Sequence, residues 1–318
     1  MGDKEKKLKV VFFGTPASVI PFMEYLYANE LLSGVVTQPS KLAGRGFQLK
    51  VSPVGKYAME LNIAHFQPEK LNDPSFINSL VDLKLDLGVV AAFGRKIPSE
   101  CLEAAREGFV NIHYSLLPKY RGPAPIQHTL LNEEEFAGVT IFYLSEQIDE
   151  GPIFVQQKIP IFPEDDYISL EDKLTNLGLE LLKDVLEKIK AKNIRTYHQT
   201  GTPSKAPLIK KENGRIDWNT NAAHIVAAAK AFILWPNVFF LMGNGNIVKV
   251  LQASIIKPVS DKNYKIGEII GLVRDKGFVV KCRNSSVLIE TVHPQGKQKM
   301  SGWAFWQGAR LKIGDVLR

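Results

Sequence analysis

Leu8-Lys-Val-Val-Phe-Phe13 runs directly into Gly14-Thr-Pro16. A short run that is almost wholly apolar, β-branched or aromatic, closed by Gly and Pro, predicts a strand buried on both faces that ends in a turn. Pro16 to Ala28 continues as a helix with proline in its first turn. Outward from this unit the same alternation recurs. Gly34 to Thr37 is a strand, Val51 to Leu61 a helix, and Asp86 to Ala92 and Glu107 to His113 are further buried strands. Strands alternating with helices predict an α/β fold, an open and mainly parallel sheet covered on both faces. Gly138 to Leu144 and Ile153 to Ile161 are later strands, an antiparallel extension of it. Ser169 to Lys192 carries Leu170, Leu174, Leu177, Leu181, Val185 and Ile189 at helical spacing, which predicts a long amphipathic helix.

The pattern then changes. Residues 192–207 are rich in Thr, Pro, Ser and Gln and form a linker. Beyond it come one helix, Asn221 to Ala231, and five strand runs: Val238–Met242, Ile247–Ile256, Gly267–Arg274, Gly277–Arg283 and Val287–Val292. Short strands separated by Gly turns predict a small barrel. Trp303 and Trp306, three apart, belong to the core of a last helix. The organisation is therefore a first domain over 1–191, a linker over 192–207 and a second domain over 208–318, which suits a chain of 318 residues.

Charge divides the chain at the same place. Residues 1–206 hold 23 Lys and Arg against 26 Asp and Glu, a net of −3, whereas residues 207–318 hold 17 against 7, a net of +10. Such an excess in one third of the chain predicts a polyanionic partner for the second domain. Only Cys101 and Cys282 are present, so neither a disulfide framework nor a cysteine metal site is expected, and a reducing cytoplasm is the expected compartment. The uncharged stretch Ala231 to Val248 is broken by Pro236 and a Gly-Asn-Gly-Asn turn, which predicts a hairpin and no membrane span.

The densest chemistry lies in Asn111-Ile-His-Tyr-Ser-Leu-Leu-Pro118. Asn111 and His113 are two apart at the end of a strand, so both side chains emerge on one side of it. The carboxyl ends of strands in an open α/β sheet are where ligands bind. Ser115, Leu116, Leu117 and Pro118 then leave the strand as a tight loop with an apolar wall, fit to hold a flat ring. Further on, Asp149 sits in a Gly-bounded loop between two strands. An amide, an imidazole and a carboxylate suit acyl transfer without a covalent intermediate. Asn111 would donate to an oxyanion, His113 would move a proton, and Asp149 would orient the imidazole and balance its charge. No Ser or Cys nucleophile is needed when the acceptor is itself an amine. The remaining histidines, 65, 128, 198, 224 and 293, carry no motif. No ligand spacing suggests a metal, and neither a dinucleotide fingerprint nor a Walker loop is present.

These residues resemble the formyltransferase family that uses 10-formyltetrahydrofolate, and within it the branch that formylates methionyl-tRNA. The likeness rests on Phe13-Gly-Thr-Pro16, Val36-Thr-Gln-Pro39, Ala43-Gly-Arg-Gly46, the Asn111 to Pro118 motif, Tyr120-Arg-Gly122, Gly138-Val-Thr-Ile141, Asp149, Gly214-Arg-Ile-Asp-Trp218 and Trp235-Pro236. The resemblance implies a Rossmann-like first domain and an oligonucleotide-binding type barrel for the second. It implies Asn111, His113 and Asp149 as the catalytic trio, and Ser115, Leu116, Leu117 and Pro118 as contacts to the folate co-substrate. It also implies that an inserted loop, about 38–50, enters the acceptor end of the initiator tRNA through Lys41, Arg45 and Lys50. A monomer with no obligate protein partner and no metal is expected. The sequence departs from the pattern in three places. Ser40 and Leu42 replace an acid and a proline in the tRNA loop. Asp149-Glu-Gly replaces Asp-Thr-Gly, a variant also similar to glycinamide ribonucleotide formyltransferase. Gly201 to Pro207 replaces Thr-Tyr-Ala-x-Lys.

Two other readings stay open at this stage. A sugar-nucleotide or other small-amine formyltransferase, or a formyltetrahydrofolate hydrolase, could occupy the same scaffold, but neither requires a basic second domain. A non-catalytic RNA-binding protein is opposed by the intact Asn111, His113 and Asp149.

Overall fold

The structure, a computed structural model, describes residues 7–43, 48–257 and 263–317. The chain divides into two units. The first takes residues 1–125, 136–160 and 171–207, and the second takes 126–135, 161–170 and 208–318.

In chain order the first part comprises β1 (Val10–Phe13), α1 (Ile20–Ala28), β2 (Leu32–Val36), β3 (Lys41–Ala43), β4 (Gln48–Lys50), α2 (Pro53–Glu60), β5 (His65–Phe66), α3 (Pro74–Asp82), β6 (Leu87–Ala91), α4 (Ser99–Leu102), β7 (Phe109–His113), α5 (Pro125–Leu131), β8 (Phe136–Tyr143), β9 (Ile153–Pro160) and α6 (Tyr167–Lys190). Seven strands form one sheet in the order β5-β2-β1-β6-β7-β8-β9. The five from β5 to β7 are parallel, while β8 adds antiparallel to β7 and β9 antiparallel to β8. The mainly parallel sheet with an antiparallel extension is thus the one the sequence predicts. β3 and β4 pair separately as a two-stranded ribbon.

Both faces of the parallel core are covered, which is why β1 and β6 are apolar without alternation. On one face Phe13, Val36, Val90 and Phe109 pack with Phe76 and Leu80 of α3 and with Cys101 of α4. The Phe13 ring meets those of Phe93 and Phe109 edge-on at 5.1 and 5.5 Å, a favoured aromatic geometry. On the other face α6 brings Gly178 against Ile112 of β7 and Phe22 of α1. Helix starts carry local signals. Ser52 and Asp73 accept N–H bonds from Gly55 and Ser75, and each is followed by proline.

The second unit is built on α7 (Ala222–Ala231), β10 (Val238–Leu241), β11 (Ile247–Ile256), β12 (Ile269–Val273), β13 (Gly277–Lys281), β14 (Ser286–Pro294), β15 (Met300–Ser301) and α8 (Gly302–Gly308). Its strands pair antiparallel in the order β10-β11-β14-β13-β12, with β15 on β14. Phe240, Phe278 and Phe305 form a ring cluster in its core, with Trp218 against Phe240. Here one expectation needs correcting. Phe305 is the residue that α8 buries, whereas Trp303 and Trp306 are only half-buried and lie against each other, ring centres 5.8 Å apart. Residues three apart on a helix share a flank, and here the buried flank is that of Gly302 and Phe305, not that of the two tryptophans.

Candidate active site

β7 ends on the pair that the sequence singled out. Asn111 stands beside Val90 of β6 and Phe142 of β8, and His113 stands beside Thr140 of β8. The sheet reverses its order of growth between β1 and β6, so β7 ends next to a topological switch, where open α/β sheets form their ligand crevice. His113 is buried, 6% exposed, with the edge of its ring set toward Phe142 at 88°. Asn111 is half-buried, and its side-chain amide finds no hydrogen-bond partner among the described residues. The next residue, Tyr114, points away and shares a hydrogen bond of 2.8 Å with the Thr175 hydroxyl of α6. Burial pushes the Tyr114 phenol well above its usual range.

The loop after β7 is pinned from behind by β8 and β9. The Thr140 hydroxyl donates to the Ser115 carbonyl at 2.6 Å and accepts from the Leu117 N–H at 3.2 Å. The Gln156 amide donates to the Leu117 carbonyl at 2.9 Å and to Thr140 Oγ1 at 2.8 Å. Ser115 turns its own hydroxyl onto the Lys119 carbonyl. Ser115, Leu117 and Pro118 are buried, Leu117 against Phe142 and Ile153, and the Leu117–Pro118 peptide is cis. Leu116 alone of the four keeps a partly open side chain.

Two residues further on, the loop joins the imidazole to the carboxylate. Tyr120 has a left-handed backbone, φ 62°, and its carbonyl lies 3.0 Å from His113 Nε2. A carbonyl can only accept, so Nε2 carries the proton of that bond. His113 Nδ1 then faces Asp149, 3.9 Å from Oδ2. The same Oδ2 accepts the Gly122 N–H at 2.8 Å. Gly122 is required there, because at φ 123° a side chain is strained and its Cβ would fall 2.6 Å from the Ala206 carbonyl.

Asp149 is buried, 9% exposed, on a turn between β8 and β9 with φ 56°. Gly151 closes that turn against Tyr143, where any Cβ would sit 1.7 Å from the carbonyl oxygen. Asn111, His113 and Asp149 are therefore brought to one strand end, with His113 and Asp149 facing each other. Sequence reasoning missed the residues that hold them. Thr140 and Gln156 lie on strands whose role was only architectural. The segment expected to be a linker is bonded to the site. Ser204 Oγ accepts the Tyr120 N–H, and Arg121 pairs through both backbone groups with Ser204 and Ala206. Gln199 reaches the Asp149 turn itself.

Of the residues expected to touch tRNA, Lys50 is exposed. Arg45 and the side chain of Lys41 lie outside the described residues. Cys101 and Cys282 are buried, and burial pushes both thiols up to about 12, so neither serves as a nucleophile at neutral pH. Among the described residues no cluster of His, Cys, Asp and Glu could hold a metal ion, and no helix is long and apolar enough to cross a membrane.

A family model described as formyl transferase matches residues 8–186, and one described as formyl transferase, C-terminal domain, matches residues 208–310. A methionyl-tRNA formyltransferase from Dictyoglomus thermophilum is 38% identical over 97% of this chain and 99% of its own. One from Thermus thermophilus is 36% identical over 97% of this chain and 100% of its own. Among solved structures, HypX from Aquifex aeolicus in complex with tetrahydrofolic acid superposes with a TM-score of 0.62 at 17% identity. That match covers 97% of this chain but spans only 48% of HypX, and it speaks for the fold alone.

Proposed function

The chain belongs to the formyl transferase family, and from that premise we propose how its residues carry out the reaction. It is a methionyl-tRNA formyltransferase: it moves a formyl group onto the α-amine of methionine esterified to initiator tRNA, giving the N-formyl form used to begin translation. The co-substrate is 10-formyltetrahydrofolate. The amine attacks its formyl carbon, the bond from that carbon to the folate N10 breaks as the tetrahedral adduct collapses, and tetrahydrofolate leaves with the proton that His113 took from the amine.

The observation that carries the reading is the convergence of Asn111, His113 and Asp149 at the end of β7. The donor set fits an acyl donor, because a half-buried amide with no protein partner among the described residues stands two residues from a buried imidazole. Asn111 donates its N–H to the oxyanion that develops on the formyl oxygen, a donor of the kind whose removal costs about 2.7–4 kcal/mol of barrier. His113 keeps its Nε2 proton on the Tyr120 carbonyl. Nδ1 is then the basic nitrogen of the neutral ring, and it takes the proton of the attacking amine. Asp149 balances the imidazolium formed, and the resulting positive charge adds to the stabilisation of the oxyanion. Leu116 and the backbone of Ser115, Leu117 and Pro118 contact the folate, since the other three side chains are already covered by protein.

The first domain, 1–191, carries catalysis. The second, 208–318, with its net charge of +10, holds the tRNA by its phosphates, and Lys41, Arg45 and Lys50 of the loop meet the acceptor end. The protein works as a cytoplasmic monomer without a metal. A formylation assay with charged initiator tRNA, run beside a sugar-nucleotide amine, tests this. Turnover with the tRNA alone is expected, with loss of at least about a hundredfold in His113→Ala. Preference for the sugar amine would replace the reading with its small-amine rival.

A further inference from the structure

The turn that presents Asp149 is held by a clamp outside the catalytic trio. Asp149 has a left-handed backbone, a conformation that costs a non-glycine residue free energy unless its surroundings fix it. Two side chains supply the fixing. Gln199 donates its amide to the Asp149 carbonyl at 2.8 Å and to the Gly151 carbonyl at 3.0 Å, so one NH2 group spans the turn. The other end of that amide, Oε1, accepts from Arg121 Nη2 at 2.7 Å and from Nε at 3.3 Å. The guanidinium also pairs with Glu150, Nη1 to Oε1, at 2.7 Å. Arg121 sits between Tyr120, whose carbonyl holds His113, and Gly122, whose N–H holds Asp149. The clamp thus ties the loop that orients the imidazole to the turn that carries the carboxylate.

We infer that Gln199 is a positioning residue for the reaction, acting through its two carbonyl bonds to set the Asp149 carboxylate against His113. The inference rests on the reading of Asp149 as a member of the trio. It also assigns residues 197–206 to the catalytic machinery, although their composition suggests a linker. The hydrogen-bond inventory of Gln199 explains the residue type. The clamp needs two donors for the carbonyls and an acceptor for the guanidinium on one planar group, which only an amide provides. A carboxylate at this position keeps the acceptor for Arg121 but turns an oxygen toward two carbonyl oxygens.

The full-length protein tests it by steady-state formylation with charged initiator tRNA. Variants are Gln199→Ala, Gln199→Glu, Asp149→Asn and Asp149→Asn combined with Gln199→Ala, with each fold checked by circular dichroism. Gln199→Ala is expected to lower kcat at least about tenfold while both KM values stay within about twofold, because a small displacement of a reacting group is felt in turnover more than in binding. In the Asp149→Asn background the same change is expected to cost less than about twofold, because a residue that acts through Asp149 has nothing left to position. Wild-type kcat in Gln199→Ala, or an equal loss in both backgrounds, overturns the proposal. If Gln199→Ala does not fold, the isosteric Gln199→Glu decides. A loss in kcat above about fivefold at unchanged KM supports the clamp, and wild-type kcat overturns it. Wild-type turnover in Asp149→Asn instead removes the trio, a failure of the underlying reading that is recorded separately from that of Gln199.

Discussion

Asn111 is the residue whose chemistry is least entangled with the fold. Its side-chain amide has no hydrogen bond to protein among the described residues, so removing it leaves no buried partner behind. Asn111→Ala is therefore expected to keep the stability of the parent within about 0.5 kcal/mol, the usual range away from packed features. Its kcat is expected to fall on the order of 10²- to 10³-fold, the cost of losing one oxyanion donor. Chemical denaturation and single-turnover formylation read the two quantities. A large stability loss with wild-type turnover would move Asn111 from chemistry to packing. At this scale the sequence was informative because strand geometry is periodic. Two residues apart at a strand end means one side of the strand, and no other knowledge was needed to pair Asn111 with His113. Asp149 was different. Its distance in sequence carried no geometric information: it was singled out as a carboxylate in a Gly-bounded loop between two strands that suits the chemistry of the other two, and the resemblance to a family then supported the grouping. Gln199 was illegible, since its role depends on a carbonyl 50 residues away and an amide in a Thr- and Pro-rich stretch looks like any other surface residue.

Among the elements, β8 does more than extend the sheet. Its Thr140 lies opposite His113 in the ladder and uses one hydroxyl for three bonds, to Ser115, Leu117 and Gln156. Thr140→Val keeps the shape but leaves a buried carbonyl, a buried N–H and an amide without that partner. The expected cost is about 2–3 kcal/mol in urea denaturation, with a loss in kcat because the loop after β7 is released. Unchanged stability would show that the loop holds without β8. β5 offers a second test. It is only two residues long, and its His65 is tied to Thr37, the residue after β2, by a 2.9 Å contact between the imidazole Nε2 and the Thr37 hydroxyl. Burial lowers the His65 pKa below its ordinary 6.5. The folded state then binds fewer protons than the unfolded chain just below that value. The stability this ring contributes is present above pH 6.5 and is lost as the pH falls through the lowered pKa. Denaturation of the parent between pH 7.5 and 5 is expected to show a decline that His65→Gln reduces. Equal declines in both proteins would assign the pH dependence elsewhere. Such short elements explain what the pattern did not reveal. α3, α4 and β5 bury only a few side chains each. Periodicity needs length to rise above the background, as it did in the 24 residues of α6.

The whole molecule is marked by where its charge lies, and this property was fully legible because it is a count and depends on no fold. The residues beyond 206 carry a net +10, and Lys210, Lys211, Lys276, Lys297, Lys299 and Arg310 among them are exposed. A small amine acceptor gives no reason to keep such a field, while a tRNA does, because each neutralised phosphate releases a condensed counterion. The two substrates should therefore respond differently to salt. Raising NaCl from about 50 to 200 mM is expected to raise KM for methionyl-tRNA by on the order of tenfold or more, with a linear log–log dependence whose slope counts the phosphate contacts. KM for the folate, which carries few charges, is expected to change by no more than about twofold over the same range, as screening of a local contact allows. The comparison is internal, since both constants come from one enzyme in one buffer series, so a general effect of salt on turnover cancels. Equal slopes for the two substrates would mean that the basic third of the chain does not hold the RNA, and the specificity for tRNA would then have to come from the loop at 38–50 alone.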